Sequence, residues 1–342
     1  MRNILTYILL ATIIAIAGCK PEGKGVDDPK PAVYYWRTSL KLDSMERQFL
    51  SDNKVGKMYV RYFDIVIDKN GNLHPNATIT FDDSIPAIIE VIPTIFIVNN
   101  CLEHGIDTIA PLLVKRVLQM NETHDIAGVK EMQIDCDWTA TTQHAYFAFL
   151  EQMKQLLDEH GMKLSVTIRL HQLAMEAPPA NYGVLMMYNT GELKDSKLRN
   201  PILDKRDVEP YMKYVADYKL TLCAAYPNFS WQLLYTGDKF RDILYSEDLS
   251  DSTLYRRVSD DKYLVVSSID LPNYLSSNSS YTYLNAGDTV LVIKPEAASI
   301  VQVHDALSHK RPGINDQVII YSLNNSSINN YTSSDYEKIY RP

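Results

Sequence analysis

Four of the 342 residues are cysteine, and no lysine- or arginine-rich run interrupts a chain whose formal net charge is −8. Without a basic stripe a negative surface repels phosphate backbones, so nucleic acid is not an expected partner. No glycine-rich phosphate loop follows any early strand-like run, which removes the usual support for a nucleotide-binding open sheet. His171 has no HxH or HExxH companion, so no metal is expected, and no cofactor either. With 46% hydrophobic and 22% charged residues, the chain has ample material for an ordinary globular core.

The apolar run Ile4 to Ala17 is broken only by Thr6, Tyr7 and Thr12. It falls short of the roughly 20 residues of a membrane span and suits a signal peptide over residues 1–18. Its end, Ile16-Ala17-Gly18-Cys19, resembles the lipobox of bacterial lipoproteins, which makes Cys19 the expected lipidation site and first mature residue. Lys20 after that cysteine favours the outer membrane by the same resemblance, so a lipid-anchored protein of the bacterial cell envelope is expected, with the membrane as a partner. Residues 19–31 (CKPEGKGVDDPKP) carry proline, glycine and charge without apolar periodicity, as a flexible tether does. Lipidation leaves Cys101, Cys136 and Cys223, an odd number that does not suggest a disulfide framework. Cys136 and Cys223 lie in apolar strand-like runs, where cysteine behaves as a small buried hydrophobe.

From residue 32 onward strand-like and helix-like runs alternate. Strands are expected at Val33 to Arg37, Lys57 to Ile67, Ile88 to Val98, Glu131 to Trp138, Lys163 to His171, Gly183 to Thr190, Leu220 to Tyr226 and Gln317 to Leu323. Helical periodicity covers Ser44 to Ser51, Ile109 to Met120, Thr142 to His160, Asp207 to Lys219 and Glu296 to Leu307. Eight strands with intervening helices predict an α/β fold, a (β/α)₈ barrel over residues 32–342, with an open doubly wound sheet as the alternative. Between about 241 and 294 the pattern breaks into short beta-prone runs, read as a small beta-rich insertion. Ser322 to Ser334 reads as a surface loop.

In such a barrel the chemistry sits at the C-terminal strand ends. The stretch EMQIDCDWTA ends a strand on two acids, and alternation puts Gln133, Asp135 and Asp137 on one face. Neighbouring carboxyl groups bias each other's proton affinity, which acid/base catalysis exploits; the alternative is a structural polar network or a cap on the following helix. The next strand, KLSVTIRLHQ, places Ser165, Thr167, Arg169 and His171 on its polar face. Arg169 is then a partner for Asp135 or Asp137, holding either a structural salt bridge or a substrate oxygen.

Asp135-Cys136-Asp137-Trp138-Thr139 resembles the Asp-x-Asp-x-Glu strand end of chitinase-like glycosidases (glycoside hydrolase family 18). Met186-Met187-Tyr188-Asn189 is similar to their Met-x-Tyr-Asp, and Tyr226-Pro227-Asn228-Phe229-Ser230-Trp231 to the Pro-x-aromatic segment beyond it, in matching order from Val33 to Trp231. The resemblance implies a TIM-like barrel acting on a glycan; the polar strand faces make Asp135 and Asp137 the candidate catalytic residues and Arg169 and His171 candidate sugar contacts, and the matched segments add Tyr188, Asn189 and Trp231. Two departures weigh against the family's mechanism. Thr139 stands where the acid Glu belongs, and a hydroxyl has no acidic pKa near neutrality; Asn189 replaces the sixth-strand Asp. Hydrolysis would need Asp137 as the acid and a second carboxylate, for which Glu176 and Glu192 are candidates. Otherwise the cleft binds without turnover, using Tyr188, Trp231, Tyr226, Tyr35 and Trp36 as flat faces. The expectations are therefore a lipid-anchored glycosidase-like hydrolase, a glycan-binding lipoprotein without activity, or a structural envelope component.

Overall fold

The computed structural model describes residues 31–193, 199–245, 247–271 and 282–341; the expected signal peptide, the Cys19 lipidation site and all of the tether but Pro31 lie outside the described residues. Eight parallel strands close into a ring: β1 (Ala32–Tyr35), β2 (Lys57–Ile67), β3 (Glu90–Ile97), β4 (Glu131–Cys136), β5 (Lys163–Ile168), β6 (Tyr182–Met186), β7 (Leu222–Pro227) and β8 (Val318–Tyr321). Each pairs with the next, and β1 pairs with both β8 and β2, so the barrel has no open edge. The open-sheet alternative is thereby excluded.

Alternation then sorts the side chains. Ile134, Val166, Leu164 and Met132 face outward under the helices, with Trp138, Tyr146 and Phe149 in the same fully buried layer. Tyr34, Tyr59, Ile92, Val184, Met186 and Ile319 fill the interior. The outer layer is carried by α1 (Ser44–Asp52), α2 (Ala110–Thr123), α3 (Gln143–Glu159), α4 (Ala297–Lys310) and α5 (Ser333–Tyr340). Helix α3 buries Tyr146, Phe149, Leu150, Met153 and Leu157, the stripe that its 3.6-residue period dictates.

Several expected elements come out differently, each for a local reason. Asp207 to Lys219 is not one helix: Lys205–Val208 and Met212–Val215 flank a 3-10 turn, Glu209–Tyr211, because Pro210 lacks an N–H and its ring disfavours continuing the preceding turn. No helix follows β2, which turns back as an antiparallel hairpin with Leu73–Asn76, and only the 3-10 segment Leu170–Ala174 follows β5. Residues 322–334 are not a plain surface loop. They hold a short helix, Asn325–Ile328, and the Thr332–Asp335 capping box that starts α5, and Ser327 and Ile328 are buried. The insertion begins at Trp231, earlier than expected, as a five-stranded antiparallel sheet made by Trp231–Thr236, Lys239–Leu244, Tyr255–Arg257, Lys262–Val265 and Thr289–Ile293. Cys101, Cys136 and Cys223 are buried and unpaired. None of the described helices is long and apolar enough to cross a membrane.

Candidate functional site

The β4–β5 side of the barrel mouth is organised by one guanidinium. Asp135, the last inward residue of β4, is 3% exposed and accepts from Thr167 Oγ1 at 2.6 Å and from Arg169 Nη2 at 3.2 Å. Arg169 Nε donates to Asp137, whose side chain is 54% exposed just beyond the strand end. The expected alternation thus brings Asp135, Asp137 and Arg169 together, and Arg169 holds both acids. Burial raises the Asp135 pKa; Arg169 and the Thr167 hydrogen bond oppose it, while Asp137 and Asp64 add repulsion in the same direction as burial.

Arg169 is itself locked. Its backbone N–H donates to Gln172 Oε1 at 2.8 Å, and Gln172 Nε2 donates to the Trp138 carbonyl at 2.9 Å, which bolts the loop after β5 to the loop after β4. Sequence reading missed Gln172, since a lone amide three residues past a strand carries no distinguishing pattern.

Asp137, Arg169, His171, Tyr188, Asn189 and Tyr211 line a cleft of about 310 Å³. His171 reaches it from the 3-10 segment rather than from a strand, because β5 stops at Ile168; it is exposed at the rim. Asn189 is exposed, and its φ of 55° turns the chain in the left-handed region that asparagine tolerates. Tyr188 is 8% exposed and stacks on Tyr321 at 4.8 Å. Its hydroxyl and Arg169 Nη1 are both buried and have no hydrogen-bond partner among the described residues, leaving two donors unused behind one cleft wall.

Other expected site residues lie elsewhere. Trp231 opens the insertion sheet and packs on Phe229 at 5.9 Å; of these two rings it is Phe229 that meets Tyr188, edge-on at 6.0 Å, so Trp231 is one ring removed from the cleft. Tyr35 faces outward and donates to the Ser39 carbonyl at 2.7 Å, and Tyr226 is fully buried and donates to Asn315 Oδ1 at 2.9 Å, so neither offers a face to a ligand. Trp36, half-buried beyond β1, does reach the mouth, where it packs on Tyr34 and Tyr321. Glu176 accepts from Gln143 Nε2 at 3.3 Å on the outer surface, and Glu192 is exposed; neither lines the cleft. Thr139 is exposed and hydrogen-bonds with Thr141 and Thr142 at the approach to α3, so the position that the sequence resemblance matches to a Glu carries a hydroxyl.

The additional carboxylate at the mouth is Asp64. On β2 the inward phase runs Lys57, Tyr59, Arg61, and strict alternation would send residue 64 outward. A bulge between Arg61 and Phe63 puts Tyr62 and Phe63 consecutively under the helices and returns Asp64 to the interior, in register with Phe96 and, one strand further, Asp135. Arg61 clamps it, with Nε on Oδ1 at 2.7 Å and Nη2 on Oδ2. The period-2 rule hid this residue.

No family model matches the chain, and no curated protein matches it in sequence. Solved structures do. The spore cortex-lytic enzyme SleL of Bacillus megaterium aligns over 90% of this chain and 74% of its own, with 12% identity and a TM-score of 0.55. A chitinase of Chromobacterium violaceum aligns over 91% and 98%, with 11% identity and a TM-score of 0.53. A class V chitinase of Pseudomonas fluorescens aligns over 91% and 99%, with 10% identity and a TM-score of 0.52. The fold is that of chitinase-like TIM barrels.

Proposed function

We propose that this chitinase-like barrel binds a glycan of N-acetylated amino sugars without hydrolysing it, in the cleft between Arg169 and Tyr188. The observation that carries the reading is the pair of buried donors without partners among the described residues, Tyr188 O–H and Arg169 Nη1, in the wall of a cleft where Arg169 already engages both Asp137 and the buried Asp135. A buried donor without an acceptor is unfavourable in the free protein, and a ligand carbonyl or hydroxyl oxygen that displaces the atoms covering it relieves this. Fold neighbours described as chitinases and a cortex-lytic enzyme support sugar polymers as the ligand class. Thr139 and Asn189, standing where the resemblance places acids, support binding over turnover.

The test is a titration of tryptophan fluorescence or heat with chito-oligosaccharides and peptidoglycan fragments, beside an assay for released reducing ends. Binding with no release is the expected result. Release that Asp137→Asn abolishes would replace this reading with hydrolysis by Asp137. Tyr188→Phe separates function from stability: it should weaken binding roughly tenfold, the value of one lost hydrogen bond. Its Tm should stay level or rise, because an unsatisfied buried hydroxyl is removed. A Tyr188→Phe protein that melts earlier and binds normally would show that the hydroxyl serves the fold.

Anchoring at Cys19 in the cell envelope belongs to the same proposal and rests on the lipobox resemblance. Radiolabelled palmitate fed to a bacterial host should label the wild-type chain and leave Cys19→Ser unlabelled; equal labelling of both would overturn it.

A further inference from the structure

Two guanidinium–carboxylate clamps stand at the barrel mouth, and the function proposed above uses only one. The second, Arg61 with Asp64, lies on β2. Phe96 of β3 separates Asp64 from Asp135 in one register row, so the backbones of the two acids lie two strand spacings apart, roughly 10 Å. Between the clamps runs a connected set of rings. Arg61 covers Trp36 at 5.6 Å, Trp36 meets Tyr321 at 5.9 Å, and Tyr321 stacks on Tyr188 beside Arg169. Tyr321 is within range of the charges of both Arg61 and Arg169, as its contacts with Trp36 and Tyr188 require.

A buried ion pair is a poor way to stabilise a barrel wall, since apolar residues of similar volume do as well or better. Here the backbone departs from regular pairing to make one. The bulge re-aims Asp64 into the mouth, and without it the carboxylate would lie among the outer helices. Arg61 spends Nε and Nη2 on Asp64, while its Nη1 makes no hydrogen bond among the described residues, and its side chain is 19% exposed. A guanidinium donor beside a carboxylate acceptor is the pairing that neighbouring sugar hydroxyls engage together, one accepting and one donating.

We infer that Arg61 and Asp64 form a second saccharide-recognition pair, so that the mouth is a groove holding at least two sugar units, laid across Tyr321 from the β2 flank to the Arg169–Tyr188 cleft. This rests on the glycan-binding reading and adds ligand length and a specificity pair to it. The two residues act in binding, with no role in bond cleavage.

The experiment compares N-acetylglucosamine with its tetrasaccharide on the full chain. Wild type should bind the tetrasaccharide at least tenfold more tightly than the monosaccharide. Asp64→Asn should remove most of that gain, the roughly tenfold or larger loss expected for one charged hydrogen bond, and leave monosaccharide affinity within about twofold. Because Asp64→Asn leaves Arg61 without its counter-charge, the double variant Arg61→Met with Asp64→Leu, which keeps no unpaired charge, serves as the folded control and should show the same selective loss. If either folded variant weakens both sugars equally, or neither, the second pair is not a recognition element and the inference fails while the cleft survives. If wild type binds neither sugar, the glycan reading fails and takes the inference with it. Tyr188→Phe distinguishes the two ends, since it should weaken the monosaccharide and the tetrasaccharide alike.

Discussion

Replacing Arg169 with Met should cost the fold about 3–5 kcal/mol at neutral pH, the scale of removing one partner from a buried ion pair. Asp135 is left at 3% exposure with Thr167 as its remaining donor, facing the repulsion of Asp137 and Asp64. The sign of the pH dependence follows from linkage. Asp135 binds its proton more tightly folded than unfolded, so its contribution favours the fold below the ordinary carboxyl value of 3.8 and is lost as pH rises through the raised folded value. Arg169 opposes that rise, and without it the Asp135 pKa climbs further. Wild type and Arg169→Met should therefore differ least near pH 4 and most at pH 7 to 8. Asp135→Asn added to Arg169→Met should recover much of the neutral-pH loss without restoring ligand binding, because the donor at Nη1 is still absent. Thermal melts of the three proteins across this range decide it. A pH-independent difference would mean that Arg169 stabilises by packing, and that Asp135 is not the group it holds.

How much of this site was legible beforehand follows from where backbone regularity holds. Alternation along EMQIDC and KLSVTI is strict, so Gln133, Asp135, Ser165 and Thr167 point inward as the two-residue period requires, and the Arg169 pairing with both acids follows from two adjacent parallel strands. Each error begins where a strand ends or bends. His171 lies past the end of β5 and obeys a 3-10 period instead. Asp64 lies past a bulge, and one extra residue inverts the face of everything after it. A short aromatic resemblance groups Trp231 with the cleft, yet a new sheet begins at that residue and carries it away from Tyr188. The aromatic count could not separate Tyr188 and Tyr321 from Tyr35 and Tyr226, because outward rings in a barrel are buried under helices as fully as inward ones. Register and bulges are properties of paired strands, and a single strand's residues do not specify them.

The opposite end of the barrel supplies the second large effect. Lys57 Nζ lies 3.3 Å from Glu131 Oε2 and 3.9 Å from Glu90, and Ser165 Oγ donates to Glu131 Oε1 at 2.7 Å. Gln133 Nε2 continues the chain to Ser165, and Tyr34 O–H donates to Gln133, so this polar stack runs up the interior to the row just beneath Asp135. Lys57→Met should destabilise the protein by about 3 kcal/mol, the low end for a broken buried pair because the lysine is 19% exposed. Lys57→Met with Glu131→Leu should restore most of it, since the apolar pair leaves no buried charge uncompensated and Glu90, 30% exposed, is solvated. Ligand affinity of both variants, measured well below their melting temperatures, should match wild type: in a parallel barrel the N-terminal strand ends hold the fold, and the C-terminal ends meet the ligand. A Lys57→Met protein that stays folded yet loses sugar binding would show that the stack transmits position to Asp135 through Gln133 and Ser165, and that the two ends of this barrel are coupled.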